Sequence, residues 1–383
     1  MLNSLGSYKL PKPCLFLEAQ GSMLKASFIA TVGICFLAFQ GCQTTSITDE
    51  EKAAKIAEAK RLEEEEAKWR SGYLNRIMES ERMVWDVLAP LMESAVDYRA
   101  NETFGYIGAV FVSGLYYPDF LQSEVEAAGY GDHVSVRFVF DGSVAEQAGL
   151  EAGDKIVSIN GRRVPRGDAA TTFALRKMKR LLKPGETNLL EIERAGKQLV
   201  IELVPQKAAY YGVVVVPSSD RFIQAEDEAI WISVPLVEAL RLKEDLAFVC
   251  AYGLSQNVMR HSKKRGQNSF LGSALDLAAA VHGVNLGGLF GSMGQSAYKE
   301  GFVIESDVIA LFLLASTGYE IEGYPEYWER VMLGGTDREF LGKGEQNRID
   351  LINKVIDAIA EMKAAGETIF PTAYLGGDTS ILD

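Results

Sequence analysis

The chain has 383 residues, enough for two or three domains, and 48% of them are hydrophobic, enough to build a sizeable core. The formal net charge is −13 and no basic stripe runs through the sequence, which argues against a nucleic-acid partner. The four cysteines, Cys14, Cys35, Cys42 and Cys250, form no CxxC pair and no disulfide framework.

Residues 23–42 read as an export signal. Met23-Leu24-Lys25 makes a second start inside the chain, and Lys25 supplies a short positive region. Residues 26–39 are an apolar run of signal-peptide length, too short to span a bilayer comfortably as a helix. Gly41-Cys42 follows. The pattern resembles a bacterial lipoprotein signal, which implies that Cys42 becomes the lipidated first residue. Phe39 and Gln40 depart from it, standing where a lipobox usually has Leu and a small residue. A plain signal peptide and an uncleaved anchor are the alternative readings. Residues 1–22 carry no motif, so the start is Met1 or Met23. Gln43 after the cysteine resembles outer-membrane sorting. The expectation is a cell-envelope protein, lipid-anchored on the periplasmic face of the outer membrane. Once Cys42 is processed, Cys250 is left as a thiol, read as a small core residue.

Residues 48–83 are charged and helical, with too few apolar positions for a strong coiled coil. They read as a solvated stalk, with a dimerising coil as the alternative. A more apolar helix is expected over 84–98. A different module then runs from about 104 to 206. Residues 134–140 alternate as a strand. Residues 142–164 carry GSxAxxAGLxxGDxIxxINGxxV, which closely resembles a PDZ domain. Gly149 can end a short helix in the left-handed region, Gly153-Asp154 turns into the strand 155–159, and Asn160-Gly161 signals a hairpin. Residues 171–182 read as the helix beside a peptide groove, and 191–193 and 199–203 as closing strands. The resemblance implies capture of protein C-termini or extended segments by strand addition. Tyr106-Ile107-Gly108-Ala109 is then the candidate carboxylate loop, unless Gly108 is merely a strand bend. A long insert, 116–132, separates it from the core motif.

Residues 212–217 and 229–234 are β-rich, and 236–242 is a short helix or turn. The central stretch, 244–262, reads as a helix: Leu246, Cys250, Leu254 and Val258 recur every four residues, with Ala247 and Ala251 beside them. Its pattern EDLAFVxxxxLxxNxxxH resembles the active-site helix of the HtpX/BepA-type zinc metallopeptidases, whose gap holds HExxH. In that motif two histidines one turn apart hold zinc and the glutamate is the base. Tyr252, Gly253 and Gln256 stand at those three positions here. The resemblance makes 229–234 the edge strand that pairs with substrate in active relatives. It makes 302–317 the second metal helix, with Asp307 kept and Val303 at the third ligand position. Residues 319–332 match the family's GYDxxxxxxFWxRM stretch. Arg348 matches a late HPxxxxR motif in which Gly342 and Lys343 replace His and Pro. A last helix is expected over 349–365. The run 282–296 is rich in glycine, read as close packing or a mobile loop, with a membrane-contacting loop as the alternative.

The expected fold class is α+β: a mainly helical gluzincin-like domain with a small sheet, plus a β-rich PDZ domain. The expected segments are a leader (1–41), a stalk (42–74), the first helix of the peptidase-like domain (75–103), the PDZ domain (104–206), the rest of the degenerate peptidase-like domain (207–368) and a tail (369–383). The expected function is a non-catalytic envelope lipoprotein that binds protein segments in assembly or quality control, with no metal and no cofactor. The alternative is an active zinc metalloendopeptidase with atypical ligands, for which His261, His282 and Glu305 are the candidates; His133 is the third histidine. A purely structural lipoprotein is the third reading. Partner identity, PDZ specificity and oligomeric state stay open.

Overall fold

The computed structural model describes residues 49–226, 229–240, 242–260, 297–328 and 345–371. The leader with Cys42, the glycine-rich run, His261, His282, Gly342, Lys343 and most of the tail lie outside them. Among the described residues no helix is long and apolar enough to cross a membrane.

The first element is one helix, α1 (Asp49–Ser94), rather than the two segments expected to divide at residue 83. The composition changes there, but nothing in the backbone breaks: helix formers continue on both sides and no glycine intervenes. Pro90 sits in the helix near its end, and Ala95–Glu102 continue as a tighter 3₁₀ turn. Asp49, Glu50 and Glu51 in the first turn suit the positive end of the helix dipole. The helix is exposed along its first half and has a buried face from Tyr73 onward. Contact begins slightly earlier: Trp69 stacks on Tyr73, and Arg70 pairs with Glu124 at 2.8 Å.

Strand β1 (Phe104–Tyr106) leads into the module and β8 (Gln206–Ala208) leads out. They pair antiparallel, Phe104 opposite Ala208, so the two ends of the module meet. Between them lie β2 (Ala109–Ser113), α2 (Gln122–Ala127), β3 (Val134–Val139), α3 (Val144–Gln147), β4 (Lys155–Ile159), β5 (Arg162–Arg163), α4 (Asp168–Thr172), β6 (Asn188–Arg194) and β7 (Lys197–Leu203). The sheet order is β2-β3-β4-β6-β7, all antiparallel, with β5 on β4. Asn160 (φ 50°) and Gly161 (φ 73°) make the β4–β5 turn with both central residues left-handed, as an Asn-Gly hairpin requires. The helix expected over 171–182 starts as α4 and continues as wider and tighter turns through Arg180. The module has its own core, in which Ile156, Ile159, Leu190 and Ile192 meet Phe173 and Met178.

Beyond it come β9 (Gly212–Val216), β10 (Ile223–Glu226), β11 (Ala229–Ser233), α5 (Val234–Ala239), α6 (Lys243–Val258), α7 (Ala297–Ser316), α8 (Tyr324–Tyr327) and α9 (Glu345–Ala365). β11 is parallel to β9 and antiparallel to β10, in the order β10-β11-β9. The strand expected at an edge is therefore the middle one. Helix α6 is packed on nearly every side, against α1, α7 and β10. Beyond its first turn only Tyr252 and Gln256 are half-buried, so it is a core helix rather than one with a single apolar face.

Candidate functional site

Tyr106 ends β1, Ala109 begins β2, and Ile107-Gly108 turn between them. Gly108 has φ +74°. A Cβ there would lie 2.2 Å from Ser143 Cβ, so glycine is required by conformation and by close approach. The Ile107 carbonyl accepts from Ala145 N at 2.8 Å, and the Gly108 carbonyl from Phe140 N at 2.9 Å. Ser143 caps α3 through Glu146 N (3.2 Å), and the Glu146 carboxylate reaches back to Gly142 N (2.6 Å). The loop is thus clamped on the start of α3, and β2 leaves it as the edge strand of the sheet, with α4 alongside. Ile107 and Gly108 line a cleft of about 790 Å³ that also takes in Arg82, Asp86 and Lys243. Asp154, in the GD turn, is buried and held bidentate by Arg194 at 2.6 Å to each oxygen. That ion pair ties β4 to β6 and carried no signal of its own in the sequence.

The second set of expected positions lies on α6, α7 and α9. Tyr252 and Gln256 are one turn apart on the half-buried side of α6, and Tyr252 meets Trp328 edge-on at 5.5 Å. Gly253 faces β10: a Cβ there would lie 2.6 Å from Ile223 Cδ1, so a larger residue would have to displace that side chain. Ile223 belongs to β10, the strand that also occupies the edge of β11. Val303 is half-buried on α7. Asp307 and Arg348, expected as isolated matches, are brought together: Nε–Oδ2 is 2.6 Å and Nη2–Oδ1 is 2.9 Å. Tyr324 donates to Asp307 Oδ1 at 3.0 Å, and the Arg348 guanidinium lies 3.7 Å from the Trp328 ring centre. Burial pushes the Asp307 carboxyl up while Arg348 opposes it.

These residues do not fit zinc. Tyrosine and glutamine are poor ligands, and valine and glycine offer no donor. Among the described residues no group of three His, Cys, Asp or Glu could hold a metal ion. Glu305 is buried within α7. His133 sits 3.6 Å from Asp132 in the sheet module, its pKa lowered chiefly by burial. Cys250 is a buried core thiol, pushed up by burial.

Solved structures similar to part of the chain include the HtrA-type protease AlgW with decapeptide, at 20% identity and a TM-score of 0.21, covering 27% of this chain and 30% of that one. A variant of the same protease, also with decapeptide, gives 18% identity and a TM-score of 0.21 over 31% of this chain and 34% of that one. The chain thus spans about a third of each. No curated protein matches it. Residues 139–194 match the family model of the PDZ domain, and they lie within the sheet module that holds the Ile107-Gly108 loop. The chain therefore carries a PDZ domain within a mixed helix and sheet protein.

Proposed function

We infer that the protein binds extended protein segments with a free C-terminus, through the Tyr106–Ala109 loop and the edge of β2. The observation that carries this reading is the Gly108 turn: a left-handed glycine wedged on Ser143, at the head of an edge strand, in a module whose sequence is that of a PDZ domain. Such modules add a peptide strand to a sheet edge and hold its carboxylate in backbone amides. The domain around α6 is a metallopeptidase-like scaffold without peptidase chemistry. The poor ligands at Tyr252 and Gln256, the lack of a donor at Gly253 and Val303, and the Ile223 side chain packed against Gly253 support this. The protein would work at the cell envelope, lipid-anchored through Cys42, in the assembly or quality control of other proteins.

The test is a display screen of random C-terminal decapeptides against the full chain. Peptides are expected to bind with a free carboxylate and to lose binding when amidated. Equal binding of both forms would remove the C-terminal reading. Substituting Gly108 is a poor probe, because any side chain there strains the loop and strikes Ser143. Zinc content by elemental mass spectrometry tests the scaffold reading: well under one zinc per chain is expected, and a stoichiometric value would overturn it.

A further inference from the structure

A peptide that extends β2 must lie between β2 and α4. That track is closed. Every residue of Ala109–Ser113 is buried, although β2 is an edge strand. The cavity left between Val112 and Ala174 is about 20 Å³. That admits about one water molecule, whereas ligand pockets run to about 300–1,000 Å³. The cover comes from outside the module: Trp85 of α1, Tyr210, and Gly212 and Val213 of β9 wall the same cavity. Thr171 Oγ1 is buried in it with no hydrogen-bond partner among the described residues, a donor left over by the closure. The carboxylate loop, by contrast, opens on the larger cleft.

Three polar contacts fasten the cover. The Tyr116 hydroxyl accepts from Val215 N at 2.8 Å and lies 3.2 Å from Val215 O, to which it can donate. Lys179, buried at the end of the α4 turns, donates to Tyr210 O at 2.7 Å. Glu81 of α1 accepts from Tyr117 Oη at 2.9 Å and from Arg137 Nε at 3.4 Å. In each contact one partner belongs to the PDZ module and the other to α1 or the segment leading into and along β9.

We propose that the chain closes its own PDZ groove, so that docking of the module on α1 and β9 and binding of a peptide along β2 exclude one another. The proposal rests on the peptide-binding reading for its consequence, but closure can be measured without a peptide. A bound segment would lift the module from the helical domain, and whatever loosens that docking would raise affinity, because the closed population is withdrawn from binding.

The experiment places Val112→Cys in the full chain and follows maleimide labelling of residue 112 by peptide mapping. Labelling is expected to be slow, and about ten-fold faster once Tyr116→Phe and Lys179→Met are added. Cys250 should stay protected in both, which excludes unfolding; if it does not, Tyr116→Phe alone is compared by the same criterion. Equal rates at residue 112 overturn the closure. C-terminal decapeptides selected on the double variant are then titrated against both chains by fluorescence anisotropy. Affinity about ten-fold weaker for the wild type supports mutual exclusion; equal affinity overturns it. Unequal labelling with no peptide bound to either chain would remove the peptide-binding reading and leave closure standing.

Discussion

A buried carboxylate and a half-buried guanidinium hold α7 and α9 together. Asp307 receives two bonds from Arg348 and one from Tyr324, and Trp328 covers the cation. Removing one partner strands the other charge away from water, so Asp307→Ala is expected to lower stability by about 3–5 kcal/mol, measured by urea unfolding. Asp307→Leu with Arg348→Met, which removes both charges, is expected to recover most of that loss. An additive double variant would mean that the two side chains are not coupled. Glu81 is the opposite case, a carboxyl whose burial outweighs the help of Arg137 and Tyr117 and pushes its pKa up to about 7. Between the ordinary glutamate range and that value the unfolded chain gives up the proton and the folded chain keeps it. Stability from this group is therefore complete below the ordinary range and lost as pH rises through about 7, by about 3 kcal/mol in all. Glu81→Gln is expected to flatten this slope in a series of unfolding midpoints from pH 4 to 8 and to be the more stable chain at pH 8. An unchanged slope would place the titration elsewhere.

Among the elements, those set by local chemistry were legible in the sequence. The β4–β5 hairpin follows from Asn160-Gly161, the end of α3 from Gly149, and the run of α7 from its apolar residues. Elements set by their neighbours were not. The Ile223–Glu226 strand alternates, but over only four residues, too short a run to mark it in the sequence. It exists because it completes the sheet beside β11 and drops Ile223 onto Gly253. That Tyr252, Gly253 and Gln256 are not a metal-binding set was plain from the residues; that Ile223 packs against Gly253 could only come from the fold. Likewise Asp307 and Arg348 were noted one by one, while their ion pair required α7 and α9 to cross. The Ile223–Gly253 contact makes a sharp test. Gly253→Ala alone gains about 1 kcal/mol of helix propensity but must push Ile223 aside. Ile223→Ala alone is expected to cost about 2 kcal/mol. With Ile223 already trimmed, alanine at 253 meets no clash, so the pair should be more stable than the sum of the single changes by at least about 0.5 kcal/mol in unfolding experiments. A sum that adds would mean that β10 does not seal this part of α6.

For the whole molecule, the closed groove turns on whether the PDZ module is a body of its own. Two features say that it is. Its core is separate: the cluster around Ile159, Leu190 and Ile192 draws only on residues between Ile107 and Leu203. Its two ends are already joined, since β1 and β8 pair with Phe104 opposite Ala208. What it shares with the helical domain is an outer face, where Val110 and Val112 of β2 lie in the same cluster as Trp85 and Tyr210. Burying those side chains again in solution would need a partner, and a peptide strand along β2 is one. The excised module, residues 104–208, is therefore expected to unfold in urea as a single cooperative transition, followed by circular dichroism. Its β2 amides should exchange hydrogen faster than in the full chain, because the cover is gone while the sheet remains. A module that fails to fold alone would mean that α1 and β9 supply part of its core, and closure would then be a condition of folding rather than a state that opens. A module that folds with β2 as protected as before would mean that the edge closes within the PDZ domain itself, and the contacts at Tyr116, Lys179 and Glu81 would hold two domains together without guarding anything.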